Sequence, residues 1–531
     1  MCGILAIINK LGKNKNYEKL FNDFMKIKNR GPDMSSFNIF KDAIVAFHRL
    51  AILELSFQGN QPYIINKDNK TVVFICNGEI YNFKELNEKY KLNILTNSDC
   101  LVIPKLYLEN NIDNFINLFS REIKGEFSFV LIEYDENQDI KHVVVGRDQI
   151  GIRPLYMNED NTFFSSEIKC MSSCSNKVSE FPPGFILCDN IFYNFRTVYT
   201  TKQISNTEEY FLSKIRNSVI ESVRRKLITN KPIAFLLSGG VDSSLVTGIA
   251  ANILGTINTF CCGMDEGTDL FYARQVAEHI KSNHTQVFFT EEEGLNAIED
   301  VIYTTESWDT TTIRASVGQY LVCKYIGLNT DAKVVMVGEG PDEVCSSYLF
   351  NYYAPNGDEL HKAALEYVEN IHMYDGRRAD RCISRWGLEG RVPLLDPEFI
   401  EAYWELDGEL RMPKTKGIEK WWLRQAFANT NYICDSVLWR KKEAFSDGVS
   451  SKKKSWFEIL QEYINLQVSD EEFNKNNNNN PSKEAYYYKK IFIKFFGEER
   501  VNILPNYWQP KFITSNGYVD PSARTLNVYE E

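Results

Sequence analysis

The chain has 531 residues, a formal net charge of −11, 44% hydrophobic and 25% charged residues, a globular composition too long for one ordinary core and suited to two or three domains. The acidic balance argues against nucleic acid or an anionic membrane as the main partner, and no apolar run approaches the ~20 residues of a membrane span. Small-molecule substrates and a cytoplasmic location are expected, because Ile4-Leu5-Ala6-Ile7-Ile8 is too short for a signal-peptide core and lacks a basic leader.

Twelve cysteines are scattered without a disulfide-like spacing. Cys170 and Cys174 come nearest to a metal pair, but no second Cys/His pair follows them at finger spacing. Cys2 stands apart, since a small residue after Met1 favours removal of that methionine. The α-amine then freed, with an ordinary pKa near ~7.7, can take the proton of its own thiol. An ordinary cysteine near a terminus is the alternative.

From Met1 to about Cys188, short β-like runs recur at Ile4 to Ile8, Ala43 to Phe47, Val72 to Cys76, Phe127 to Tyr134, His142 to Val145 and Thr162 to Ser165. Asn77-Gly78 and Pro182-Pro183-Gly184 are turn signals that separate or close them, so a β-rich layered domain is expected. Within it Arg49 can fork onto a carboxylate, Asn77 and Gly78 can offer a side-chain and a backbone N–H to an oxyanion, and Glu79 and Asp99 can hold an ammonium. Those are the contacts a glutamine substrate needs. Taken singly, they also read as a surface ion pair, a hairpin turn and solvated acids.

The connector from Asp189 to Asn206 has no clear periodicity. From Thr207 the pattern changes to an amphipathic helix, Tyr210 to Lys226, and buried strands at Ile233 to Leu237, Asn258 to Cys262 and Val334 to Val337, which implies a parallel α/β sheet. The first of these strands runs into Ser238-Gly239-Gly240-Val241-Asp242-Ser243-Ser244 and then into helical spacing at Leu245, Val246, Ile249 and Ala250. Paired glycines let the backbone turn its N–H groups inward beside a helix N-terminus, hydroxyls add donors, and Asp242 fits if Mg²⁺ lies between it and a phosphate. A tight turn with Asp242 and Ser243 as caps is the alternative. The loop lacks the Gly-Lys-Ser/Thr ending of a Walker motif.

Farther on, Arg314 lies among Thr311, Thr312 and Ser316, which suits either a carboxylate ligand or a threonine-capped helix start. Gly338-Glu339-Gly340-Pro341-Asp342 follows a strand and holds Glu339 at the mouth of the sheet. Lys441 to Gly448 reads as a charged surface loop, the chain beyond Leu360 as largely helical, and Asn474 to Asn480, followed by Pro481, as a disordered surface loop.

Several of these stretches carry a family resemblance. Met1-Cys2-Gly3-Ile4, Arg30-Gly31-Pro32-Asp33, His48-Arg49-Leu50-Ala51-Ile52, Asn77-Gly78-Glu79-Ile80-Tyr81-Asn82 and Ser98-Asp99-Cys100 resemble class II glutamine amidotransferases, and Ser238 to Ser244 resembles the pyrophosphate loop of N-type ATP pyrophosphatases. With Arg378-Ala379-Asp380, Arg391-Val392-Pro393, Gly417-Ile418-Glu419-Lys420 and Lys442-Glu443-Ala444-Phe445 in order, the chain resembles the two-domain, glutamine-hydrolysing asparagine synthetases over nearly its full length.

The resemblance implies an Ntn-type αββα sandwich over residues 2–190 and a parallel-sheet α/β ATP-pyrophosphatase domain over 207–531. It implies ATP with Mg²⁺ and no tightly bound prosthetic group, with a homodimer as a family expectation only. It also implies a β-aspartyl-AMP intermediate, attacked by ammonia that Cys2 releases from glutamine. Carried over by position, Cys2, Asn77, Gly78, Glu339 and Lys442 would be catalytic, and Arg49, Leu50, Ile52, Asn77, Gly78, Glu79 and Asp99 would bind glutamine. Leu236, Ser238, Gly239, Gly240, Asp242, Ser243, Ser244, Cys262, Gly338, Glu339 and Lys442 would bind ATP or pyrophosphate; Thr311, Thr312, Arg314 and Asp342 would meet aspartate; Asp242 and Asp342 would hold the metal. The chain departs from the family pattern at Trp308, Cys262, Pro341 and Ser346-Ser347.

Overall fold

The computed structural model describes the chain except residues 9–15, 173–176, 198, 200–205, 444–447, 451–453, 477–478, 514–525, 527 and 529–531. Strand Gly3–Ile8 is buried along its whole length because both of its faces are apolar. Ile4, Ala6 and Ile8 pack with Val73, Ile75, Val130 and Ile132 of a second sheet, while Leu5 and Ile7 face the other way onto Leu20, Phe24 and Ile27. The period-two alternation of a strand therefore separates two apolar layers instead of an apolar and a polar one.

Two six-stranded antiparallel sheets result. The first runs, in spatial order, Val178–Glu180, Tyr156–Asn158, Phe163–Ser165, Gly3–Ile8, Ala43–Arg49 and Met34–Phe40; the second Ile191–Asn194, Phe185–Cys188, Ile140–Arg147, Gly125–Tyr134, Lys70–Ile80 and Tyr63–Lys67. Helix Tyr17–Met25 covers the outer face of the first, and helices Phe83–Tyr90, Val102–Leu108 and Ile112–Glu122 cover the outer face of the second. This is the expected αββα sandwich.

Asn77 and Gly78 make no turn. They lie inside strand Lys70–Ile80, opposite Ser128 and Phe127 in a ladder that runs unbroken from Thr71 to Ile80. The glycine is needed for close approach, because a Cβ there would stand 2.3 Å from the Glu126 carbonyl oxygen. Turn preference yields to the apolar run before it and the paired strand beside it.

The C-terminal half is built on a five-stranded parallel sheet ordered Asn283–Phe288, Asn258–Gly263, Ile233–Leu236, Val334–Met336 and Glu389–Arg391. The two outer strands are polar, reading Asn-His-Thr-Gln and Glu-Gly-Arg, and only the three inner ones carry the apolar run that marks a buried strand in sequence. The asparagine run is also corrected: Asn474 to Asn476 close a helix, Asp470–Asn476, whose first turn is acidic, and the side chain of Asn480 is buried and accepts a hydrogen bond from the Tyr507 hydroxyl. Residues 444–447 of the Lys441 to Gly448 stretch, and Cys174, lie outside the described residues. No helix among the described residues is long and apolar enough to cross a membrane.

Where the halves meet, a shared apolar core is threaded by buried charge. Arg30 donates to the Cys2 carbonyl at 2.9 Å, to Glu167 at 2.7 Å and to Asp380 at 2.8 Å, and all three of these ionic side chains are buried. Arg153 joins Glu126 at 3.0 Å and the Gly390 carbonyl at 2.9 Å; Lys226 joins Asp396 at 2.8 Å; Arg391 joins Glu389 at 2.9 Å and Glu79 at 3.4 Å. Glu306 receives the backbone N–H groups of Ile168 and Lys169 at 3.1 and 3.0 Å. Arg30→Ala would remove the cation that spans the two halves while Lys169 still pairs with Glu167 at 2.7 Å and Arg381 with Asp380 at 2.8 Å, so we expect it to cost about 2–3 kcal/mol in denaturant unfolding. A loss under about 1 kcal/mol would show that the seam does not hold the halves.

Two candidate active sites

The first site forms where the start of the chain meets the ends of two strands. Cys2 Sγ lies 3.5 Å from the Leu50 amide nitrogen and opens into a cavity of about 40 Å³ walled by Arg49, Leu50, Ile52, Gly78, Glu79 and Asp99, together with Glu389 from the other half. Seven residues named from sequence are thus brought together, Cys2 included. Asn77 is fully buried beside this wall with both side-chain polar atoms lacking a hydrogen-bond partner, a costly arrangement unless a ligand completes it.

Arg49 is used differently from the expectation. Its guanidinium donates to the Ser56 carbonyl at 2.7 Å, to Asn60 Oδ1 at 2.6 Å and to the Glu54 carbonyl, so it fastens the loop that roofs the cavity. Desolvation raises Asp99 to about 6 and Glu79 well above the usual carboxylate range, Asp99 adding to the effect on Glu79. Met1 is fully buried, its amine donating to the Leu388 carbonyl at 3.0 Å. Burial pulls this amine down to about 5 and pushes the Cys2 thiol up to about 12, so with Met1 attached neither group carries charge near neutral pH.

The second site opens at the carboxyl end of the parallel sheet. Strand Ile233–Leu236 passes through Ser238-Gly239-Gly240 into helix Val241–Leu254. Gly239 turns through φ +73°, where a Cβ would meet the Ala273 amide nitrogen at 2.5 Å. Gly338 ends the neighbouring strand so close to the helix start that a Cβ would stand 2.6 Å from the Ser243 nitrogen. A cavity of about 150 Å³ lies between, lined by Leu236, Ser238, Gly240, Asp242, Ser243, Cys262, Gly338, Glu339 and Asp342 among others. Lys442 borders an adjoining cavity of about 140 Å³ that shares Ser238, Gly240, Asp242 and Asp342. Gly239 and Ser244 line neither; the first shapes the turn and the second is buried in the helix.

Glu339 accepts from Gln319 Nε2 at 2.8 Å and faces Arg378 at 3.7 Å; burial raises its pKa and Arg378 opposes the rise. Asp342 takes Ser347 Oγ at 2.5 Å, Lys442 Nζ at 2.5 Å and Lys420 Nζ at 2.6 Å, and Lys420 also reaches Asp242 Oδ2 at 2.5 Å. Asp242 Oδ1 is buried without a hydrogen-bond partner. Two carboxylates, one with an open oxygen, beside hydroxyls and a helix N-terminus form the hard-oxygen donor set that fits Mg²⁺ bound with phosphates.

The departures from the family pattern find places here. Pro341 occupies the first turn of helix Pro341–Val344, where a missing N–H removes no intrahelical bond. Ser346 adopts φ +52°, and Ser347 orients Asp342. Cys262 donates to the Gly318 carbonyl at 3.1 Å. Trp308 lies outside both cavities, donating to the Val501 carbonyl at 3.2 Å.

Thr311, Thr312 and Arg314 do not reach either cavity. Both threonine hydroxyls donate to Asp309, the cap of helix Thr310–Asn329, at 2.6 and 2.8 Å. Arg314 forks onto Glu484 with both contacts at 2.7 Å, and this pair is buried. Arg314 meets a carboxylate, as its residue type suggested, but one supplied by the chain itself some 170 positions away. Sequence reasoning missed Glu389, Gln319, Asp375, Arg378 and Lys420 as site residues; Arg378 and Lys420 stood inside quoted motifs, whereas Glu389 and Gln319 reach their cavities only through tertiary folding.

A family model described as asparagine synthase matches residues 214–359 and 353–512, and one described as a glutamine amidotransferase domain matches residues 1–201. The chain is 36% identical to a probable glutamine-hydrolyzing asparagine synthetase of Acanthamoeba polyphaga mimivirus, covering 99% of this chain and 100% of the relative. It is 37% identical to the glutamine-hydrolyzing asparagine synthetase of Gallus gallus and 36% identical to that of Homo sapiens, each comparison covering 100% of this chain and 99% of the relative.

The Arg314 placement has a thermodynamic signature. Arg314→Ala and Glu484→Ala should each cost about 3–5 kcal/mol by breaking a buried ion pair, and the double variant should lose clearly less than the sum. An unchanged melting temperature in Arg314→Ala, with a raised requirement for an acidic substrate, would return Arg314 to the binding site.

Proposed function

The chain belongs to the asparagine synthase family, with a glutamine amidotransferase domain at its N-terminal end, and from that premise we propose that it makes L-asparagine from L-aspartate, L-glutamine and ATP by way of β-aspartyl-AMP. The observation that carries this reading is the pairing, in one chain, of a Cys2 cavity with a phosphate-type loop whose own sheet sends Glu389 into the first cavity's wall.

In the first cavity the reactive form is the one without Met1. Because Met1 is fully buried, its removal precedes folding, and the α-amine then sits on the same residue as the thiol. Cys2 Sγ bonds to the side-chain carbonyl carbon of glutamine and the thiol proton passes through the amine to the leaving nitrogen. Ammonia departs, and water later cleaves the thioester to glutamate. Asn77, with its amide donors unengaged, is suited to the oxyanion, and Glu79 and Asp99 to the substrate ammonium.

In the second, Ser238, Gly240, Ser243 and the N-terminus of helix Val241–Leu254 would cradle the phosphates, with Leu236 and Cys262 against the nucleoside. Asp242 and Asp342 would hold Mg²⁺, which when bound offsets charge on the departing pyrophosphate. Lys442 adds a fixed positive charge there. The aspartate side-chain carboxylate attacks the α-phosphorus, pyrophosphate leaves, and ammonia crossing from the first site displaces AMP. Glu339, a carboxyl raised by burial, can take the proton that ammonia sheds on attack, while Arg378 supplies the cation that Arg314 does not.

Pyrophosphate release by the purified protein with ATP and Mg²⁺ should require aspartate and proceed with glutamine or ammonium as nitrogen source. Glutamine hydrolysis without any aspartate-dependent release would overturn the reading. Cys2→Ala should abolish asparagine formation from glutamine and spare formation from ammonium; equal loss of both would mean the two sites are not separate.

A pH dependence follows from Asp99. Its carboxyl, raised to about 6, is ionised above that pH and neutral below it, so attraction for the glutamine ammonium fades as pH falls. The glutamine KM should rise several-fold from pH 7.5 to 5.5 with a smaller change in kcat, and Asp99→Asn should have a high KM throughout. A pH-independent KM in the unsubstituted enzyme would remove Asp99 from that role.

A further inference from the structure

Lys420 is placed oddly for a lysine. Its side chain is buried at 4% exposure, and its ammonium sits 2.5 Å from Asp242 Oδ2 and 2.6 Å from Asp342 Oδ1, bridging two carboxylates from different elements of the sheet mouth. Its backbone is left-handed, φ 58° and ψ 25°, three residues after Gly417 at φ 72°. Only a residue whose side chain is strongly held, or whose neighbours fix the turn, keeps such a conformation. Both conditions apply: Glu419, fully buried, is tied to Arg424 at 2.6 Å, so the turn is anchored on one side while Lys420 is aimed inward on the other.

The bridged carboxylates are those the phosphate-loop reading assigns to Mg²⁺. A divalent ion bridging Asp242 Oδ2 and Asp342 Oδ1 at roughly 2.0–2.1 Å would need the place the ammonium takes at 2.5 and 2.6 Å, and the ammonium's charge repels an ion at the open Asp242 Oδ1. Lys442 holds Asp342 separately at 2.5 Å, so Asp342 keeps a cationic partner when Lys420 departs.

We propose that Lys420 is a resident counter-ion that holds Asp242 and Asp342 together until metal and nucleotide arrive, and that it is displaced by them jointly, so that divalent metal binds with the nucleotide and not ahead of it. A metal ion alone would have to evict the ammonium into a site already rich in Lys442, Lys441 and Arg440, which border the same cavity. Nucleotide phosphates arriving with the metal give the evicted ammonium a new partner within reach of its four-carbon stem. The turn need not move, because the side chain carries the change.

This inference rests on the nucleotide reading of the second cavity, and Mn²⁺ binding to the full-length protein separates the two. Free Mn²⁺ would be followed by electron paramagnetic resonance, with and without α,β-methylene-ATP, which cannot be cleaved at the bond concerned, and binding would be counted beyond the Mn²⁺ that the same concentration of analogue chelates without protein. In the unsubstituted protein the analogue should tighten Mn²⁺ binding at least tenfold. In Lys420→Met, Mn²⁺ alone should bind at least tenfold tighter than to the unsubstituted protein, with a smaller further gain from the analogue.

Lys420→Gln, which keeps an N–H donor for one carboxylate but not the charge, should behave as Lys420→Met and decides the matter if the methionine variant does not fold. Equal Mn²⁺ affinity of the unsubstituted and neutral variants without nucleotide would overturn the proposal while leaving the nucleotide site intact. No Mn²⁺ binding to any of them, even with the analogue, would overturn the nucleotide reading and this inference with it.

Discussion

The halves of this molecule share a continuous apolar core and are pinned across it by ions withdrawn from water. Arg30 is the centre of the arrangement, since it binds the backbone of Cys2, a carboxylate of its own half and a carboxylate of the other. Isolated buried charges are costly, so each member persists only while the rest are in place. An apolar interface tolerates sliding; a set of directional pairs does not. Cys2 inherits that rigidity, because the residue that grips its carbonyl also grips Asp380.

The same seam ties the two chemistries to one geometry. Strand Glu389–Arg391 is the outermost strand of the parallel sheet, yet Arg391 reaches Glu79 and Glu389 walls the Cys2 cavity. At the inner end of that sheet lie Ser238 and Glu339. Backbone hydrogen bonds of one sheet thus run from the wall of the Cys2 cavity to the mouth of the second.

Much of this was legible in sequence, for reasons that also explain what was not. The glycine-rich loop between an apolar strand and a helix is local, so its residues, spacing and conformation travel together. A β-rich layered domain was legible because its central strands are apolar runs, its αββα arrangement through the family resemblance, and Cys2 because its position in the chain is its chemistry. Asn77-Gly78 misled because a local turn preference was outweighed by a partner strand some fifty positions later. Arg314 misled because a guanidinium among hydroxyls calls for a carboxylate without saying whose, and Glu484 lies far along the chain. The edge strands Asn283–Phe288 and Glu389–Arg391 are too polar to announce themselves.

A Cβ on Gly338 would stand 2.6 Å from the Ser243 nitrogen, so main chain lies close to main chain beside the second cavity. A methyl group at Gly338 would wedge that approach open. Elsewhere the cavity, bounded by Leu236, Phe260, Cys262 and Val322, is shaped by side chains. A thiol at Cys262 thus changes a side-chain wall and leaves the main-chain geometry of the loop as it is.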